Sequence, residues 1–429
     1  MTDARLQIRV LPTIAEISAD DWNACAAGAD PRMLAASQPH LQAEDQRPQL
    51  KDHRHNDLEN IFKNLDNPFI SHEFLSALED AACVGGRSGW RPNYLVAEAA
   101  DGTIVGVAPA YLKTHSRGEY VFDQGWADAY EQAGGRYYPK LQVAVPFTPV
   151  TGPRLLARAS PLADDVRLGL AQALATITRQ NGLSSAHLTF LTEAEWRTLG
   201  GNGFLLRTDR QFHFDNPGYA TFEDFLAALA SRKRKAIRRE RKEALADGIE
   251  IHQLTGRDLT EAVWDAFFAF YMETGSRKWG RPYLTRAFFS LIGERMAERI
   301  LLVMARRRGR WIAGAINFIG ADTLYGRNWG AIEHHPFLHF EVCYYQAIEY
   351  AIDHGLRRVE AGAQGEHKLA RGYLPSATYS AHYIAHPGLR RAIDDYLRRE
   401  RAYVEAAGEE LAAAAPFRKD LAQNEEESG

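Results

Sequence analysis

Ile300-Leu-Leu-Val-Met-Ala305, a turn at Arg308-Gly309 and Arg310-Trp-Ile-Ala-Gly-Ala315 read as an antiparallel hairpin, because two apolar runs flank a glycine turn. Ahead of it, Thr285-Arg-Ala-Phe-Phe-Ser-Leu-Ile292 reads as the start of an amphipathic helix. The same series stands earlier in the chain. Ser71-His-Glu-Phe-Leu-Ser-Ala-Leu78 leads to Tyr94-Leu-Val-Ala-Glu-Ala99, a turn at Asp101-Gly102, and Thr103-Ile-Val-Gly-Val-Ala108. The helices lie 214 residues apart and the turns 207, about half of the 429-residue chain. A helix feeding a hairpin is one supersecondary unit, so its recurrence predicts a duplicated fold with a cleft between the copies.

Around these anchors helices and strands alternate. Strands are expected at 6–11, 141–145, 186–191, 204–214, 249–254, 323–329 and 356–362. Helices are expected at 17–27, 165–180, 193–199, 222–247, 260–275, 284–298, 336–354 and 388–412. Such alternation around antiparallel hairpins points to an α/β (α+β) fold with mixed sheets. The expected division is a first domain over 1–215, a basic helical connector over 216–248, a second domain over 249–400, and a helix end with an acidic tail over 401–429. Residues 28–60 are polar and aperiodic, and read as a flexible insertion.

Composition narrows the class. With 45% hydrophobic and 25% charged residues the chain reads as an ordinary globular protein. No stretch approaches the ~20 apolar residues of a membrane span. The N-terminus MTDARLQIRV lacks a signal-peptide core, and Cys25, Cys83 and Cys343 are scattered, so a cytoplasmic location without stable membrane insertion is expected. The net charge of −4 hides an asymmetry: SRKRKAIRRERK (231–242) carries eight Lys or Arg against one Glu, leaving −11 elsewhere. A charge run is usually a solvated face. Here Arg232, Lys233, Arg234, Lys235, Arg238 and Arg239 nearly encircle a helix, the footprint of a polyanionic partner.

The densest chemistry lies in Ala361–Tyr373, AGAQGEHKLARGY. Its buried-looking strand ends among glycines and is followed by Glu366, His367, Lys368 and Arg371, with Tyr373 closing the segment. Glycines let a backbone approach a ligand, and cations at such an edge serve carbonyl- or phosphate-bearing substrates. A capped turn with solvated charges is the plain alternative. Leu324–Gly330 alternates so as to put Tyr325, Arg327 and Trp329 on one strand face, either as a packed structural group or as an anion site. Glu341 and Tyr345 stand at the flank of the 336–354 helix. His335, His339 and Cys343 fall at i, i+4 and i+8, but His335 precedes Pro336 outside the helix, so no metal site is expected. Tyr138, Lys140 and Arg154 stand in proline-stiffened aromatic loops that suit a binding wall or ordinary turns. Neither a P-loop, G-x-G-x-x-G, H-E-x-x-H nor G-x-S-x-G is present, which leaves group transfer from a substrate that carries its own activated bond.

The stretches NPFISHEFLSALE, GEYVFDQGWADAY, YYPKLQVAVPFTPVTGPRLL, SRKRKAIRRER, LYGRNWGA, HFEVCYYQAIEYAI and GAQGEHKLARGYLP resemble the Fem-like peptidoglycan biosynthesis/recognition family, tandem proteins of the GCN5-related N-acetyltransferase (GNAT) superfamily. The resemblance covers nearly the whole chain apart from 28–60 and the tail. It implies two GNAT-like domains joined by a basic helix, and transfer of an aminoacyl group from aminoacyl-tRNA to an amine of a cell-wall precursor. It also implies a lysine shortly after the last strand of the second fold, in a Phe-Lys context. The matching position is Lys368, in a His-Lys context.

On this reading no cofactor is tightly bound, the acyl donor is aminoacyl-tRNA or acyl-CoA, and the acceptor is a small-molecule or cell-wall-precursor amine. Lys368 would stabilise the oxyanion with help from Arg371 or Arg327, and Glu366, His367 or Glu341 would take the amine proton. An acyl-CoA-dependent N-acyltransferase on a small amine, and a non-catalytic peptidoglycan- or RNA-binding module, are the alternatives. The acyl-CoA pyrophosphate signature Gln/Arg-x-x-Gly-x-Gly/Ala is not evident at a strand-to-helix junction.

Overall fold

A computed structural model describes residues 6–28, 67–279, 282–362 and 365–418. Most of the expected insertion and the acidic tail therefore lie outside the described residues. The first half runs β1 (Gln7–Leu11), α1 (Ala19–Ala26), α2 (His72–Asp80), β2 (Trp90–Pro92), β3 (Tyr94–Glu98), β4 (Ile104–Ala108), β5 (Ala110–Lys113), α3 (Gln124–Gln132), β6 (Lys140–Val143), β7 (Leu156–Ala157), α4 (Ala163–Gln180), β8 (Ser185–Leu191), α5 (Glu193–Gly201) and β9 (Leu205–Asp215). Helices α6 (Phe222–Ala228) and α7 (Ser231–Ala244) connect it to the second half. That half runs β10 (Ile249–Leu254), α8 (Glu261–Trp279), α9 (Arg286–Met296), β11 (Ile300–Arg307), β12 (Arg310–Ile319), β13 (Thr323–Ala331), α10 (Gln346–Asp353), β14 (Arg358–Glu360), β15 (Leu374–Ile384) and α11 (Pro387–Ala413).

Both expected hairpins form, β3 against β4 and β11 against β12, with Gly102 and Gly309 at φ +84° and +76° in the turns. The fold is α/β, with mostly antiparallel strands in two sheets. One sheet has the order β10-β11-β12-β13-β14-β9-β15-β8-β6-β5-β2 and the other β1-β3-β4-β7. Among the described strands only β13/β14 and β6/β8 are parallel. The duplication shows as a mirrored order about the β9/β15 pair. Each half gives its last strand to the other: β9 pairs with β14, and β15 with β8.

The copies differ where Pro109 stands. In the second copy β12 is continuous; in the first, the residue without an N–H separates β4 from β5, which enter different sheets. The α2 and α9 helices then pack on each other through an aromatic core shared by both halves. Within it Phe69 meets Phe318 at 4.7 Å and Phe74 meets Phe288 at 5.6 Å between ring centres.

Three local readings need correction. The expected helix 222–247 breaks at Leu229 and Ala230. Leu229 is fully buried, takes an extended conformation and bridges to Phe417, while the Ala230 N–H donates to the Pro416 carbonyl. Tertiary pairing outweighs helix propensity there. The expected helix 336–354 begins at Leu338 and contains a π-helical turn over Glu341–Tyr345. Tyr325 and Trp329 do not share a face. Ala315 opposes Trp329 and Asn317 opposes Gly326, so Arg327 and Asn328 form a bulge opposite Ile316. The bulge turns Tyr325 into the shared aromatic core and Trp329 onto the other side of the sheet, against His339.

Candidate functional site

Strands β13 and β14 run in parallel register only from Thr323 to Tyr325, facing Arg358 to Glu360. Beyond that the bulge at Arg327 carries β13 away, and the strand end so left holds the buried side chains of Arg327 and Glu360 beside the half-buried Ala361 and Gly362. Gly326 is needed at this edge, since a Cβ there would come within 3.1 Å of Asn317 Oδ1. Strand β14 then runs into a tight 3-10 turn, Glu366–Arg371, whose ends are set by Gly365 at φ +121° and Gly372 at φ +90°.

Lys368 points back from this turn to the strand end. Its Nζ donates to the Ala361 carbonyl at 2.7 Å and the Gly362 carbonyl at 3.0 Å, and the residue is 2% exposed. Burial, reinforced by the Arg327 charge, pushes the ammonium pKa down to about 8. Arg327 is buried between Phe69 and Tyr325, 5.0 and 5.5 Å from their ring centres, with Nη1 on the Gly326 carbonyl at 2.8 Å. Its Nη2 reaches Glu360 Oε2 at 3.5 Å, and its Nε has no hydrogen-bond partner.

Glu360 is the acid of this edge. Burial pushes its carboxyl up to about 7 despite the opposing charges of Arg327, Arg358 and Arg154. The exchanged strand β9 brings His213 beside it, Nε2 to Oε1 4.0 Å. His213 Nε2 meets Gln211 Oε1 at 3.2 Å, and Gln211 is fixed by donating to the Pro149 carbonyl. Burial pushes His213 down to about 3, so it is neutral. Thus the first half of the chain supplies two polar groups to the second half's site.

The π-helical turn forms the opposite wall, as such turns often do at functional sites. Tyr344 Oη meets His367 Nε2 at 2.9 Å, and buried Tyr373 donates to the Tyr344 carbonyl. Arg371 lies over the Phe340 ring, donates to the His367 carbonyl at 2.7 Å and pairs with Glu240 at 3.0 Å. Glu240 also accepts from Tyr345 Oη, and Arg241 pairs with Glu341 and Glu349. The basic helix α7 is thereby fastened directly to the segment that carries Lys368.

The structure brings Lys368, His367, Arg371, Tyr373, Arg327 and Tyr325 together, with Trp329 across the sheet. The side chain of Glu366 lies outside what is described. Glu341, expected to take a proton, is fully buried and held by Arg241 and Gln346. Tyr138, Lys140 and Arg154 do not form a wall of this opening. Lys140 is fully buried between Glu119 and Asp123, and Tyr138 bonds Ser116. Arg154 spends its donors on the carbonyls of Val150, Gly152 and Pro153. Among the described residues Arg232, Lys233 and Lys235 have no ion pair, whereas Arg238 pairs with Glu223 and Arg239 with Glu243. No cluster of metal-ligating side chains is found among the described residues.

Sequence reasoning missed Glu360, His213, Gln211 and Glu240. Two signals were readable: Glu360 is the single acid of the strand 356–362, following Arg357 and Arg358, and Glu240 is the single acid of the basic run.

Solved structures align with the chain at low identity. FemX aligns at 11% identity with a TM-score of 0.46, over 75% of this chain and 93% of that one. L-PGS from Bacillus licheniformis aligns at 9% and 0.46, over 75% and 95%. A tandem GNAT protein from the clavulanic acid biosynthesis pathway aligns at 12% and 0.41, over 89% and 99%. No curated protein matches the chain. A family model described as peptidoglycan biosynthesis/recognition matches residues 49–419, and the chain belongs to that FemAB-like family.

Proposed function

We propose that the chain is a transferase that moves an acyl or aminoacyl group onto an amine, at the edge where β13 leaves β14. The acceptor in this reading is an amine of a cell-wall precursor. The observation that carries it is the placement of one buried ammonium, Lys368, and one buried carboxyl, Glu360, at a single strand end beside Arg327. An amine attacking an ester or thioester carbonyl needs a cation for the developing oxyanion and an acceptor for its proton. Lys368 and Arg327 serve the first need. Glu360 serves the second in place of Glu341, with His213 and Gln211 holding its surroundings.

Donor delivery follows from helix α7. Its first turn carries Arg232, Lys233, Arg234 and Lys235 at the positive end of the helix dipole, and its N-cap residue Ala230 makes no side-chain cap. Like charges there are unfavourable unless an anion binds. Through Glu240 and Arg371 the same helix grips the Lys368 turn, so a polyanionic donor on α7 has its acyl end beside the opening. This favours aminoacyl-tRNA over acyl-CoA. Replacing Arg232, Lys233 and Lys235 by alanine is expected to lower the slope of log affinity against log salt for aminoacyl-tRNA by about 2 to 3. Filter binding at several salt concentrations measures it, and an unchanged slope would remove tRNA from the proposal.

The charges also set a pH window. Glu360 accepts a proton only when ionised, a state gained as pH rises through about 7. Lys368 stabilises an oxyanion only when protonated, a state lost as pH rises through about 8. The expected kcat/KM profile is therefore a narrow bell between those values. Glu360→Gln should flatten the acid limb and leave the alkaline limb, which initial rates at saturating donor will show.

A further inference from the structure

The segment that carries Lys368, Glu366–Arg371, is a short 3-10 turn with a glycine at either end, and its N-cap residue Gly365 makes no side-chain cap. Turns of this kind are held by poorly aligned hydrogen bonds. The far end is anchored. Leu369 packs in the core, and a Cβ on Gly372 would lie 2.8 Å from the Phe225 ring. At the near end Tyr344 bonds the His367 ring, but the tie that carries charge is Arg371. Its Nη1 reaches back to the His367 carbonyl at 2.7 Å, and its guanidinium lies 3.4 Å from the centre of the Phe340 ring. Its Nη2 meets both carboxylate oxygens of Glu240, at 3.1 and 3.0 Å.

Helix α7 presents Glu240 by its spacing. Ile237, Glu240, Arg241 and Ala244 stand at i, i+3, i+4 and i+7 on one helix face, and Ile237 and Ala244 are buried. Two adjacent residues of opposite charge on that face take the two walls of the site. Glu240 takes Arg371 on the turn and accepts also from Tyr345 Oη. Arg241 takes Glu341 and Glu349 on the π-helical side, at 2.9 and 2.7 Å. The Glu240 and Arg371 side chains are only 13% and 8% exposed, so water screens their attraction weakly. Among the described residues Arg371 has no other ion pair. Without Glu240 its buried charge is uncompensated, which favours its escape to water. The His367 carbonyl, and with it the Lys368 turn, follows the guanidinium.

We propose that Glu240 is a positioning residue: through Arg371 it holds the turn so that the Lys368 ammonium stands against the end of β14. The single acid of the basic run is kept for the reacting edge, while its neighbours Arg238 and Arg239 face outward, 55% and 67% exposed. The inference rests on the proposed transfer at Lys368 for its effect on rate alone; the placement of Lys368 is measured without any substrate.

The test labels the full chain with trace acetic anhydride across a pH series and reads each lysine by peptide mass spectrometry. In the unaltered chain Lys368 should titrate at about 8, below an ordinary lysine. Glu240→Ala should move that midpoint up by about 1 to 2 pH units, because a loosened turn returns the ammonium to water. The charged and titratable neighbours of Lys368 are untouched by the change: Arg327 on β13, Cys343 on the π-helical turn and His213 on β9. Glu240→Gln, which still offers Arg371 an acceptor, should shift the midpoint less in the same direction. Arg371→Ala should shift it at least as far as Glu240→Ala, and the two together no further than Arg371→Ala alone. Lys113 and Lys140, buried in the first half, are the control, since general loosening would move them too. In the transfer assay Glu240→Ala should lower kcat by about 10²-fold and leave the donor KM unchanged. A shifted midpoint on a chain that transfers nothing would uphold the placement of Lys368 by Glu240 and remove the transfer reading. An unmoved Lys368 midpoint, a parallel shift of Lys113, or additive effects of Glu240→Ala and Arg371→Ala would each overturn the role of Glu240.

Discussion

Replacing Lys368 with alanine is expected to lower kcat for acyl transfer by about 10²–10³-fold, the usual cost of removing one preorganised oxyanion donor. The effect should fall on kcat more than on KM, because the ammonium has its full worth only when negative charge develops on the reacting carbonyl. The fold should survive. Among the described residues Lys368 makes no ion pair, and its Nζ bonds the carbonyls of the half-buried Ala361 and Gly362, where water can take its place. Single-turnover transfer with radiolabelled aminoacyl-tRNA and a cell-wall-precursor amine separates chemistry from binding. Full turnover in the variant would sink the role of Lys368. Retained donor binding with lost transfer is the outcome expected.

This site was half legible in the residue order. The 361–373 segment stands out because glycines and charges coincide at the end of a strand, a local pattern. The hairpins at 94–108 and 300–319 are equally local, each set by a glycine turn between alternating residues. What escapes is what long-range pairing decides. His213 lies in an apolar run, and only the insertion of β9 between β14 and β15 sets it against Glu360. Glu360 has a raised pKa because the packed strands bury it against the opposing charge of Arg327, which no local pattern records. The bulge at Arg327 and Asn328 likewise depends on the partner strand, so strict alternation misplaced Trp329. Leu229 looked helical by propensity, but the chain end at Pro416 and Phe417 pulls it straight.

Lys140 tests the same distinction from the other side. A lysine among tyrosines and prolines reads as part of a binding wall, yet its side chain is fully buried. Its Nζ lies 2.7 Å from Glu119, 2.5 Å from Asp123 and 2.9 Å from Ser116. The opposite charges lie 21 and 17 residues upstream, in a loop whose course the local pattern does not reveal. Lys140→Ala is therefore expected to cost about 3–5 kcal/mol of stability, since it strands two buried carboxyl groups beside one another. Lys113, 3.4 Å from Glu119, compensates only in part, because burial already pushes its pKa down to about 7. Removing the charges together separates the two roles. Adding Glu119→Gln and Asp123→Asn to Lys140→Ala should recover a large part of the lost stability in urea unfolding, because hydrogen-bonding amides replace unpaired charges. A binding residue would behave in the opposite way: Lys140→Ala would keep its unfolding midpoint and raise KM.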